Sequence, residues 1–176
     1  MGLFDIFKKK DAQLAQTGLD AFPDITGYRA FLFLKTENIE ALEAHCKEYG
    51  EIYPDEIVFT PAFQKYKDPA WVCMSLAPVA GKADASSIWH YLNLLLWMSD
   101  KAEKSFAYAV SGAMAPVFAE RDWSNSFGDS VMGIANGKNY YCNIPEQSVE
   151  WRQSVAKGFD PVQYIRERYG VDVTGI

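Results

Sequence analysis

The stretch from Asp84 to Asp100, DASSIWHYLNLLLWMSD, constrains this chain more than any other. Fifteen consecutive residues between the two aspartates carry no formal charge, and nine of them are large apolar or aromatic side chains. Such a segment has to be buried, because each side chain of this kind gains about 1.5–3 kcal/mol on leaving water. It falls short of the roughly 18 to 20 residues of a bilayer span, and it contains His90 and Asn93, so a core helix capped by Asp84 is expected. On that helix Ile88, Leu92, Leu95 and Leu96 share a broad apolar side and are expected to meet a sheet. Ser86, His90, Asn93 and Trp97 recur at intervals of four, three and four, and form one narrow strip. A tryptophan on a polar strip is a typical anchor, which makes His90, Asn93 and Trp97 candidate partner-binding residues. The plainer reading of the strip is a half-exposed face with local hydrogen bonds.

The surrounding chain supplies the sheet. Tyr28–Lys35 reads as a strand apolar on both faces, which requires cover on both faces. Glu37–Tyr49 reads as an amphipathic helix with Ile39, Leu42, Cys46 and Tyr49 inward and His45 at the edge of that stripe. Strands are expected at Glu56–Thr60, Ala70–Ala77 and Ser105–Ser111, with a loop between Pro61 and Pro69. On the last of these strands Ala107 and Ala109 make a small-residue face that lets a helix approach closely. The resulting β-α-β-β-α-β order is that of a ferredoxin-like unit. The strongest local signal is Asn136-Gly137, which predicts a two-residue type I′ hairpin pairing Gly133 with Tyr140, Met132 with Tyr141 and Val131 with Cys142. A long loop is expected over Ala113–Asn125, a helix over Pro145–Lys157, and a final helix opened by Asp160-Pro161 and closed by Gly170. The fold class is therefore α+β. We expect an antiparallel or mixed sheet of five or six strands, with helices mainly on one face, followed by a C-terminal hairpin and two helices.

Residues 1–26 are read as an N-terminal amphipathic segment and residues 27–176 as one globular domain. Leu3, Phe4, Ile6 and Phe7 precede Lys8, Lys9 and Lys10, the pattern of an in-plane membrane anchor, or of a segment that docks on the domain. Myristoylation fits poorly, since Ile6 stands where that pattern wants Ser or Thr.

Composition narrows the function. A net charge of −6 and a pI near 4.9 argue against nucleic acid, whose affinity comes largely from basic side chains. The three cysteines form no disulfide framework, no signal peptide is evident, and a reducing cytoplasm is expected. With two histidines and three cysteines in no ligand spacing, neither a metal nor a cofactor is expected. Neither a G-x-S-x-G elbow nor a phosphate loop is present, and Cys142 with His90 makes a poor nucleophile pair because strand cysteines are commonly buried hydrophobes.

Three functions follow, in order. The first is a small acidic binding module without catalysis, of bacterial immunity or adaptor type, acting on a basic protein partner. The second is a small-ligand protein or hydrolase using Glu120 and Asp122, which would share a strand face, with Trp123 to stack a planar ligand. The third is a peripheral membrane protein contacting lipid through residues 3–10. A homodimer through a sheet edge or the Trp97 strip stays open.

Overall fold

The computed structural model describes residues 22–84, 86–124, 129–154 and 159–176. Among them is one antiparallel sheet of eight strands in the order β2-β3-β1-β4-β5-β6-β7-β8, with three α-helices. The strands are β1 Arg29–Lys35, β2 Phe59–Lys65, β3 Trp71–Pro78, β4 Ser105–Ser111, β5 Met114–Arg121, β6 Ser130–Ala135, β7 Lys138–Asn143 and β8 Ser148–Ser154. The helices are α1 Ile39–Ile52, α2 Ser87–Ser99 and α3 Pro161–Tyr169.

β1 lies inside the sheet between β3 and β4, antiparallel to both. Its double-sided apolar pattern is explained by two cores. Leu32 and Leu34 join Leu42 of α1 and Leu92 and Leu95 of α2 on one face. Phe33 joins Trp71, Phe106, Phe118 and Ile165 on the other, beneath α3 and the tail residues Val171 and Val173. Ala107 and Ala109 of β4 are fully buried on the α2 face, where the missing side-chain bulk admits the helix. α2 is buried almost all round: Trp89, Tyr91, Leu94 and Met98 are enclosed as well as Ile88, Leu92 and Leu95 of the expected apolar side, whereas Leu96 of that side and the strip residues His90, Asn93 and Trp97 are half-buried.

Several expectations are corrected. The sheet has eight strands rather than five or six: the β-α-β-β-α-β element order is present from β1 to β4, with these strands placed β2-β3-β1-β4, and β4 then continues into a meander through β8. The expected loop after Pro61 is strand as far as Lys65. β2 is the edge of the sheet, where a proline has no outward N–H to lose. The expected loop over 113–125 is occupied as far as Arg121 by β5, whose Val117, Phe118 and Ala119 are buried. The helix expected from Pro145 is instead β8, paired with β7 through Cys142 and Val149 and through Tyr140 and Trp151; residues 155–157 of that expectation lie outside the described residues. Asp84 does not cap α2 directly. Its Oδ1 accepts from the N–H and hydroxyl of Ser86, at 2.8 and 2.6 Å, and closes the turn before the helix.

Other elements fall where the pattern put them. The hairpin has Gly133 opposite Tyr140 and Val131 opposite Cys142, with φ of 51° at Asn136 and 68° at Gly137, as a type I′ turn needs. α3 has Asp160 as N-cap, accepting from Val162 N at 2.9 Å, and Gly170 in the left-handed region at its C-terminus. Phe22 and Ile25 already belong to the core, Phe22 against Tyr140 with ring centroids 5.0 Å apart. Leu3, Phe4, Ile6 and Phe7 lie outside the described residues. No helix among those described is long and apolar enough to cross a membrane.

Candidate functional site

The C-terminal ends of α1 and α2 pack together at the end of the sheet where β5 finishes and β6 begins. Between them opens a cleft of about 320 Å3. Tyr49, Tyr53 and Trp97 form an aromatic wall, with centroid separations of 5.2 Å for the two tyrosines and 5.5 and 6.0 Å from Trp97 to each. Leu96, Ile144 and Pro145 add apolar surface, and Glu56, Asn93, Asp100, Arg121 and Asp129 supply the polar groups.

Each polar group has a structural cause for its position. Glu56 ends the short 3-10 turn Pro54–Glu56 that follows α1, which brings its carboxylate against α2. Its Oε2 accepts from Asn93 Nδ2 at 3.0 Å and from the Tyr49 hydroxyl, while His90 Nδ1 stands 3.9 Å away. His90 Nδ1 is itself buried and has no hydrogen bond among the described residues. Burial, reinforced by the Glu56 carboxylate, raises the Tyr49 phenol far above its ordinary range, so it donates to Glu56 throughout the neutral range. Arg121 points to this side of β5, donating to Ser99 Oγ at 2.8 Å and pairing with Asp100 at the end of α2.

The predicted strip is thus brought to one place. His90 and Asn93 face Glu56, and Trp97 stacks on His45 with centroids 4.7 Å apart and planes 14° off parallel. Glu56 was missed by sequence reasoning, which placed it at the start of a strand. No local pattern marks it, because its role depends on α2, more than thirty residues further on.

The other predicted set does not converge. Glu120 is on the opposite face of the sheet, 6% exposed, where its carboxylate accepts from Tyr164 at 3.2 Å, from Arg168 Nε at 3.0 Å and from the Tyr169 hydroxyl. Asp122 turns back on its own loop, its Oδ1 accepting from Ser124 N at 3.0 Å and Ser124 Oγ at 2.5 Å. Trp123 is 58% exposed, with the Arg121 guanidinium 4.6 Å from its ring centroid. It lines a separate hollow of about 350 Å3 with Lys104, Arg168 and Tyr169. A third groove, about 530 Å3 and mostly apolar, runs between α1 and the edge strand β2 past Ile57, Pro61 and Phe63.

The three cysteines are poorly placed as nucleophiles. Burial pushes the Cys46 and Cys73 thiols up to about 11, and Cys142 further still, so each is held as the unreactive thiol at neutral pH. Among the described residues no group of three or more His, Cys, Asp or Glu side chains could hold a metal ion. Comparison with protein-family models, with curated proteins and with solved structures finds no match to this chain.

Proposed function

We propose that the protein is a binding module without catalytic activity, and that it docks a basic protein partner at the cleft between α1 and α2. The observation that carries this reading is the meeting of Trp97 and Asn93 with three carboxylates, Glu56, Asp100 and Asp129, against one cation, Arg121, among the described residues. The described residues of the cleft therefore carry two negative charges in excess, within a chain whose net charge is −6. A positive partner surface gains faster and more selective encounter from such a field, and aromatic walls supply the buried contact area that holds it. A protein of this kind acts by occupying its partner, as immunity and adaptor proteins do.

The test is affinity capture with the full chain and with a Glu56→Gln/Asp129→Asn double variant, from an extract at low ionic strength. A basic protein retained by the former, released as salt approaches roughly 0.5 M and absent from the latter, is the expected result. Retention of the same proteins by both, or of acidic proteins only, would remove the reading.

A further inference from the structure

Resting on the cleft as the docking surface, we infer that the group it receives is a guanidinium, the side chain of an arginine projecting from the partner. Three observations point to arginine over other cations. The first is the state of Glu56. Its Oε2 already accepts two hydrogen bonds, from Tyr49 and Asn93, which hold the carboxylate in one orientation, while Oε1 has no donor among the described residues. A carboxylate oriented in advance and still short of donors accepts a cation without reorganising.

The second is the position of a further acid. Asp129 precedes β6 and lines the cleft from the sheet side, whereas Glu56 lines it from the helix side. A guanidinium, with five N–H donors in a plane, can serve acceptors on two walls at once, while an ammonium has three donors at one point. The third is the aromatic wall. Tyr53 is 42% exposed, and Trp97 is backed by His45 and cannot tilt away. A planar, weakly hydrated cation lies against such rings with cation–π attraction while its edge stays free to donate. An ammonium would satisfy the charge but cover the wall only with its methylene stem.

The experiment uses the full chain and three blocked tripeptides, acetyl-Gly-Xaa-Gly-amide with arginine, lysine or citrulline in the centre, and agmatine as a free guanidinium. The Trp97 indole N–H resonance reports occupancy, at low ionic strength. Saturable shifts with the arginine peptide are expected, about 5-fold tighter than with the lysine peptide, an advantage of about 1 kcal/mol. The citrulline peptide, similar in shape and uncharged, should leave the resonance in place. Agmatine should bind more weakly than the arginine peptide, as befits a protein-borne ligand. Glu56→Gln should weaken the arginine peptide about 10-fold, the loss of one charge-assisted hydrogen bond. Tyr53→Ala, at an exposed ring, should narrow the preference for arginine over lysine without unfolding the chain. Equal binding of the lysine and arginine peptides, both lost in Glu56→Gln, overturns the guanidinium assignment and leaves the acidic docking surface standing. Tighter binding of agmatine than of the arginine peptide overturns the assignment to a protein partner. No shift with either cationic peptide overturns both readings.

Discussion

Trp97 and His45 clasp α1 to α2 through each other's backbone. The indole Nε1 of Trp97 donates to the His45 carbonyl at 3.0 Å, and Nε2 of His45 lies 3.1 Å from the Trp97 carbonyl, with the two rings stacked between. A carbonyl can only accept, so His45 Nε2 carries a proton, and Nδ1 stands beside the Glu48 carboxylate at 3.2 Å. The side chain singled out as a partner anchor is thus first an internal joint. Its indole N–H is already committed, and what it offers a ligand is a rigid wall.

Trp97→Phe keeps an aromatic ring in the wall but removes the donor and the second ring of the indole. It should destabilise the protein by about 2 kcal/mol, the net worth of one such bond together with the lost packing of the second ring. His45→Ala removes both the stack and a partner of the Trp97 carbonyl, and should cost about 2 kcal/mol. Urea denaturation measures both, with the midpoint lowered and the slope unchanged. A Trp97→Phe protein as stable as the parent would show that the clasp contributes nothing net.

Gly133 has no room for a side chain in the sheet. A Cβ at this position would stand 2.0 Å from the Phe118 carbonyl oxygen and 2.9 Å from Ala119 Cα, both backbone atoms that cannot swing aside. The Tyr140 hydroxyl, which donates to that same carbonyl at 3.1 Å, would be 2.7 Å from it. Gly133→Ala should therefore cost about 3 kcal/mol, whereas Tyr140→Phe, which forfeits one hydrogen bond, should cost about 1 kcal/mol. Thermal unfolding of the two variants should rank them in that order, and the reverse order would contradict the close approach of β5 to β6.

The hairpin was readable to the residue because Asn136-Gly137 is a local instruction: the turn type sets the register, and the register puts Tyr140 over Gly133. The charge-free helix was equally plain from composition. β5 was not, since Pro116, Glu120 and Asp122 argue locally for a solvated loop. Glu120 is tolerable in a strand only because Tyr164, Arg168 and Tyr169 arrive from the far end of the chain. β8 was misread for a different reason. Pro145 suggested a helix start, although Val149 and Trp151 alternate with Ser148, Glu150 and Arg152, the period of a strand. Of the cleft, the α2 strip was legible, and Glu56, Asp129 and Arg121 were not, because the fold gathers them from three distant elements.

Glu120 illustrates how strongly a buried carboxylate depends on its donors. Glu120→Ala leaves two tyrosine hydroxyls and the Arg168 guanidinium without their acceptor, and should cost about 2–3 kcal/mol. The Arg168 side chain is half exposed while Glu120 is not, so Arg168→Ala leaves the buried carboxylate with its two tyrosine donors but no counter-charge and should cost about 1–2 kcal/mol, less than Glu120→Ala. The loss should be felt first in α3, as faster amide exchange across Pro161–Tyr169 in Glu120→Ala than in Arg168→Ala. Uniform acceleration over the whole sheet would mean instead that Glu120 supports the fold globally.

Alkaline pH should unfold this protein sooner than acid–base composition alone implies. The Cys46 and Cys73 thiols are raised from 9.0 to about 11 by burial, and Cys142 is raised further. The phenols of Tyr49, Tyr91, Tyr140 and Tyr169 lie above their ordinary 10.0, burial being the largest cause in each. These groups keep their protons in the folded chain at pH values where the unfolded chain releases them. Their contribution to stability is full below pH about 9 and falls as pH rises toward 11 and beyond, because the unfolded state is then favoured by deprotonation. Denaturation midpoints taken from about pH 8 upward should therefore drop steeply above pH about 9, and the cysteines should resist a thiol reagent at pH about 8 until denaturant is added. Fast native-state labelling of any of the three would place that thiol on the surface and remove its share of the alkaline loss.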